Sequence, residues 1–203
     1  MIKQFWHNLV TEKSFETLKI LKHDFDFVLI GGWAVYLYTK SLKSKDIDII
    51  IDLDTLGKLK QKFDVIKNER LNKYEIKKGD IDVDIYTPYW SQLGLPIEKI
   101  ISNTTSLEGF KVPIKEVLLI LKLFVYNQRK ESLKGRKDSI DIISLLYFDN
   151  FNAEKFKSLL AENGLSFLTS ELYEILHSHN GVEDLSINQK QYSDFKKRLL
   201  VVI

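Results

Sequence analysis

Two stretches, "KDIDIIID" from Lys45 and "GDIDVDIY" from Gly79, put aspartates at alternate positions of β-branched runs. Along a strand successive side chains point to opposite faces, so Asp46 and Asp48 share one face and Ile47, Ile49 and Ile51 the other. Asp80, Asp82 and Asp84 likewise share a face opposite Ile81, Val83 and Ile85. A carboxylate facing a core without a partner costs several kcal/mol, so such a face meets either solvent or a cation. If the two strands are neighbours, their carboxylates converge across about 5 Å and raise one another's pKa. Magnesium relieves that repulsion, because it takes carboxylate and phosphate oxygens together. A solvated acidic face on a half-exposed sheet is the other reading of the same pattern. Asp52 and Asp54, which continue the first alternation, read as strand-end and turn residues.

Ahead of the first acidic run stands "VLIGGWAVYLY". A short apolar strand that stops at Gly31-Gly32 and passes into a helix leaves backbone N–H groups free at the helix start, where phosphate binds favourably. A tight turn without a ligand is the alternative. Neither a "GK[ST]" nor a G-x-G-x-x-G pattern follows, which excludes a Walker loop and a dinucleotide fingerprint. The order favours phosphate chemistry: glycine turn, helix, paired acids on a strand, then a third acid on a later strand.

The elements that must position these residues follow from pattern. Residues 3–23 carry Phe5, Trp6, Leu9, Val10, Phe15, Leu18, Ile20 and Leu21 at helical spacing, one helix or two short ones. A helix over Leu56 to Lys62 precedes a hairpin of "YEIKK", the turn "KKGD" and "IDVDIYT". The stretch from Pro88 to Phe110 reads as loops with one helical turn, and "FKVPI" as a short strand. After Ile114 the pattern becomes helical: "KEVLLILKLFVYNQRK", "KDSIDIISLLYF", "AEKFKSLLAENG", "FLTSELYEILHS" and "QKQYSDFKKRLLVVI". The fold class expected is therefore α/β (α+β): a small mixed sheet with flanking helices over residues 1–113, then a C-terminal helical bundle over 114–203.

Composition sets outer limits. The 203 residues are 44% hydrophobic and 29% charged, with 30 basic and 28 acidic side chains, so net charge argues for no nucleic-acid coat. Extended RNA binding is disfavoured, although "LKSK" and "LKGRK" are local basic stretches. Cysteine is absent, which excludes disulfides and thiolate chemistry. No signal-like start and no apolar run of about 18 residues is present, so a cytoplasmic protein with no membrane partner is expected.

The motifs "IGGWAVYLY", "SKDIDIIID" and "VDIY" together resemble the DNA polymerase β-type nucleotidyltransferase superfamily, whose signature is Gly-Gly or Gly-Ser, then Asp-x-Asp, then a third acid on a later strand. The resemblance implies a catalytic domain over 1–113 that holds two Mg²⁺ ions and an NTP. It makes Asp46 and Asp48 the paired metal ligands and Asp84 the third, with Asp82 on the same face as the alternative. Gly31 and Gly32 would cradle phosphate. Two departures stand out: Gly32 replaces the commoner serine, and "TKSLKSK" lengthens the loop before Asp46.

The likeness continues through "VPIKEVLLILKLFVYNQRK" and "GRKDSIDIISLL", which resemble aminoglycoside-type nucleotidyltransferases and type IV abortive-infection toxins. It spans roughly Val28 to Leu146 and implies Lys122, Arg129 and Lys137 as nucleotide contacts. Lys122 sits in an apolar run, where its ammonium either snorkels outward or turns inward to meet triphosphate. Asp138 reads as a helix cap. Asp141, one turn on, would orient Lys122 or act as base toward the acceptor. His7, His23, His177 and His179 show no metal-ligand spacing. The implied reaction moves an NMP to an RNA end, a protein or a small molecule, in a toxin-like enzyme with a cognate antitoxin. A silent nucleotide- or partner-binding module on the same fold is the alternative.

Overall fold

The computed structural model describes residues 2–148 and 151–203, and residues 2–8 by backbone alone, so the expectations for Phe5, Trp6 and His7 lie outside the described residues. The chain divides into two compact units, Met1–Gln92 with Pro96–Pro113, and Leu93–Leu95 with Ile114–Ile203.

In the first unit the order is α1 (Ile2–Asp24), β1 (Val28–Ile30), α2 (Gly31–Thr39), β2 (Ile47–Ile50), α3 (Leu53–Lys62), β3 (Ile66–Asn68), β4 (Lys73–Lys78), β5 (Ile81–Tyr86), α4 (Ile97–Ser102), β6 (Thr104–Leu107) and β7 (Phe110–Pro113). Five strands form one mixed sheet in the order β1-β2-β5-β4-β3, in which only β2 and β5 run parallel. That pair joins strands far apart in sequence, with α3, β3 and β4 forming the crossover between them. β1 is buried at every position and β2 at all but Asp48, which is why both read as apolar runs. β5 alternates between buried and half-buried residues, as its period of two predicts.

Asp52 ends the first acidic run by capping α3, its carboxylate accepting from the Thr55 N–H at 2.7 Å. The helix thus begins three residues before Leu56, with Asp54 in its first turn. Trp33 of α2 is buried against α1 and donates from Nε1 to Ser14 Oγ at 2.9 Å. The Ser- and Thr-rich stretch before "FKVPI" forms β6, which pairs with β7 as a hairpin. Its residues are exposed or half-exposed, so little apolar signal marks it as a strand.

The second unit is a helical bundle of α5 (Lys115–Arg129), α6 (Leu133–Tyr147), α7 (Ala153–Glu162), α8 (Leu168–Ser178) and α9 (Gln189–Leu200), with a short 3₁₀ turn at Glu183–Leu185. α5 is buried from Lys115 through Leu123 and packs on α6, α7 and α8, which accounts for a helix apolar nearly all round. α6 starts at Leu133, capped by Ser132, whose Oγ accepts from Gly135 N–H at 3.0 Å. "LKGRK" is therefore helix, and Asp138 lies inside α6 where a cap was expected.

Candidate active site

One rung of the sheet carries the candidate chemistry. Ile30 pairs with Asp48, Asp48 with Asp84, Asp84 with Glu75, and Glu75 with Ile66, so a single row crosses all five strands with three carboxylates at its centre. Neighbouring strands lie about 4.8 Å apart and register partners share a face, so the three acids form a line of like charge. Sequence pattern alone marks Asp48 and Asp84. Glu75 sits in "NKYEIKK", which resembles any solvated strand, and only the β4–β5 register reveals its place.

Lys73 neutralises one half of the row. Its Nζ lies 2.6 Å from Asp84 Oδ2 and 3.1 Å from Glu75 Oε1, and only 12% of its side chain is exposed. Glu75 also accepts from Asn68 Nδ2 at 2.8 Å. Burial, and then the Asp48 charge, push the Asp84 carboxyl up to about 6 against the pull of Lys73. Burial acts on Glu75 in the same sense, yet hydrogen bonds from Asn68 and Lys73 hold it below the ordinary carboxylate range. Burial favours the neutral amine of Lys73, but its hydrogen bond with Asp84 raises its pKa overall. At the other half of the row the Tyr86 hydroxyl reaches Asp48 Oδ1 at 3.5 Å.

Gly31 abuts this half. Its φ is +67°, a conformation side chains disfavour, and a Cβ there would stand 2.6 Å from Asp48 Cγ. Gly31 and Gly32 open α2, where the first backbone N–H groups have no partner within the helix. Start of helix and Asp48 carboxylate are thus adjacent by construction. Asp46 is half-buried in the bend one residue before β2, outside the ladder. Asp82 shares the face of Asp84 but pairs with Lys77, two positions from the row.

Asp48 and Asp84 suit a hard divalent ion: two adjacent oxygen donors, one raised toward neutrality by burial and then by the other's charge, with waters or phosphate able to complete the shell. Among the described residues no group of three His, Cys, Asp or Glu is placed to hold a metal. The register sets Asp48 beside Asp84, and Asp46 lies two residues before Asp48. His23, His177 and His179 each bond to a neighbour within four residues in sequence. A cavity of about 450 Å³ lined in part by Lys22, Phe25, Asp26, Phe110 and Lys111 shares no residue with the row.

The second unit holds a separate ionic cluster. Lys122 Nζ lies 2.6 Å from Asp141 Oδ2 and 3.3 Å from Asp138 Oδ1, while Arg129 places Nε at 2.8 Å and Nη2 at 2.7 Å from Asp138 Oδ2. Asp138 and Asp141 are 2% and 1% exposed, and Asp141 Oδ1 has no hydrogen-bond partner among the described residues. Gly135 makes the cluster possible, since a Cβ there would meet the Arg129 carbonyl and stand 2.8 Å from Lys130 Cα. Lys122 accordingly does not snorkel outward: two carboxylates hold it inside the bundle. Lys137 is half-buried beside Asp138 in sequence, and Arg129 keeps 38% of its side chain exposed.

No protein-family model and no curated protein matches this sequence. Solved structures do resemble the fold. JHP933 from Helicobacter pylori superposes with a TM-score of 0.52 at 17% identity, over 95% of this chain and 91% of that one. ANT(2″)-Ia, in complex with adenylyl-2″-tobramycin, gives 0.54 at 17% identity over 77% and 99%. A solution structure of the antibiotic-resistance factor ANT(2″)-Ia gives 0.50 at 14% over 88% and 99%.

This chain has the nucleotidyltransferase fold. Within that fold the mixed sheet carries the acid row, and helix α2 starts beside it at Gly31. No helix among the described residues is long and apolar enough to cross a membrane.

Proposed function

We propose that this chain transfers an NMP from an NTP to an acceptor hydroxyl with release of pyrophosphate. The observation that carries this reading is the Asp48–Asp84 pair set directly beside the start of α2 at Gly31. In it, Asp46, Asp48 and Asp84 would hold two Mg²⁺ ions, which when bound neutralise triphosphate charge and lower the acceptor hydroxyl's pKa. Asp84 is preferred to Asp82 because it is the register partner of Asp48. The Gly31 and Gly32 N–H groups take phosphate oxygens, the second residue supplying no hydroxyl. Tyr86 orients Asp48. Arg129 and Lys137 are nucleotide contacts on the family resemblance alone. Lys122 is already matched by two carboxylates, so Asp141 acts by fixing Lys122.

The acceptor is an RNA end, a protein hydroxyl or a small molecule. ANT(2″)-Ia with its adenylylated tobramycin supports the last, whereas the likeness to abortive-infection toxins favours tRNA or a protein, with an antitoxin as partner. One observation favours a catalytically silent binding module: Lys73 already sits on Asp84. Incubation with each labelled NTP and a cell extract separates these readings. Label should move to one acceptor class with wild-type protein and drop at least a thousandfold with Asp48→Asn, whose Tm stays near that of wild type. Tight NTP binding with no label moved by either protein would establish the silent module.

A further inference from the structure

Lys73 is the cation this chain supplies to its own acid row. It is enclosed, 12% exposed, between Asp84 and Glu75, whose side chains are 18% and 15% exposed. Its shorter contact, 2.6 Å, is to the carboxylate proposed as a metal ligand. Its longer contact, 3.1 Å, is to a carboxylate that Asn68 anchors independently at 2.8 Å. An enclosed ammonium loses much if stripped of its partners, so it leaves one carboxylate readily only when another is within reach.

We infer that Lys73 is a resident counter-cation competing with divalent metal for Asp84, and that Glu75 is the alternative seat to which Lys73 withdraws when metal binds. The inference rests on the metal-binding reading of the Asp48–Asp84 pair. It adds a positioning residue on β4 that sets how tightly the row takes a cation. Lys73 bonded to Asp84 holds the row compact without metal; Lys73 on Glu75 releases an Asp84 oxygen. Glu75 thus has a part in metal uptake while ligating nothing.

The test is calorimetric titration of the full-length chain with Mg²⁺ alone and Mn²⁺ alone, paired with the metal-induced shift in Tm. Lys73→Met should bind the ion about tenfold more tightly, and Glu75→Gln, which removes the second seat, should bind it several-fold more weakly. In the double variant the Glu75→Gln effect should vanish, because no lysine remains to be reseated. Lys77→Met, an exposed lysine on the same face of β4, corrects for general charge and should change affinity by less than threefold. Unchanged affinity in Lys73→Met overturns the inference, as does a Glu75→Gln effect that persists undiminished in the double variant. Should Lys73→Met fail to fold, Glu75→Gln alone decides, and affinity equal to or above wild type rejects it. Asp48→Asn keeps the two claims apart. If it abolishes ion binding while Lys73→Met matches wild type, the metal site stands and the competition falls; if it leaves ion binding intact, the metal site itself falls.

Discussion

The acid row of the sheet and the ionic cluster of the bundle use the same residue types to opposite ends. In the cluster two carboxylates meet two cations, with Asp138 and Asp141 almost wholly enclosed and Lys122 and Arg129 hydrogen-bonded to them. In the row Lys73 bridges Asp84 and Glu75, while burial, and then the neighbouring Asp48 charge, raise the Asp84 pKa. A matched buried cluster resists change, since removing one member strands the others. A partly open row in which two carboxylates stand side by side on neighbouring strands gains by taking up a further cation. The difference teaches where to look for a ligand: at the cluster that is partly open and sets like charges side by side.

That contrast can be broken at several points. The largest stability effect is expected on the matched side. Asp138→Ala leaves Arg129 without its carboxylate and Lys122 with Asp141 alone, and should cost about 3 kcal/mol, roughly 10 °C in Tm by calorimetry. A loss under 1 kcal/mol would show the cluster to be ornamental. Gly31→Ala tests the row. The added methyl demands space held by Asp48 as well as a positive φ, so NMP transfer should fall about a hundredfold, measured as initial rate at saturating NTP.

The next effect has the opposite sign to that of Asp138→Ala. Asp84 keeps its proton to about pH 6 when folded but ordinarily releases it near 3.8. Between those values the folded state binds more protons, so this contribution to stability is full below about pH 4 and is lost as pH rises through about 6. It amounts to at most about 3 kcal/mol. Denaturant titrations of the metal-free protein should show that decline, and Asp84→Asn should flatten it, with a higher Tm than wild type at pH 8. A wild-type stability that rises between pH 4 and 6, with Asp84→Asn below it at pH 8, would reverse the comparison.

Much of the sheet was legible because its code is local. Alternation in "IDVDIY" names the face of Asp84, and Gly31-Gly32 marks where β1 yields to α2. Glu75, and Lys73 two residues before it, are ordinary on their own strand and acquire meaning only because β4 pairs with β5, which no spacing within "NKYEIKK" encodes. The ladder itself starts at Ile47, so the alternation that includes Asp46 runs one residue beyond the strand. In the bundle, "LKGRK" reads as a solvated end because its charges outnumber its apolar residues. The signal of helix there is Ser132 followed three residues on by the small Gly135, a cap and a close approach.

The β4–β5 hairpin has a consequence for how the molecule comes into being. Lys73, Glu75 and Asp84 belong to one contiguous segment closed by a two-residue turn at Gly79, whereas Asp48 joins through a parallel pairing that spans 36 positions, from 48 to 84. Local closure precedes distant closure, because the shorter loop loses less chain entropy. A nascent chain with only the hairpin formed already has its lysine seated between two acids. The repulsive neighbour arrives last, so the electrostatic tension of the row is created by the same step that completes the sheet.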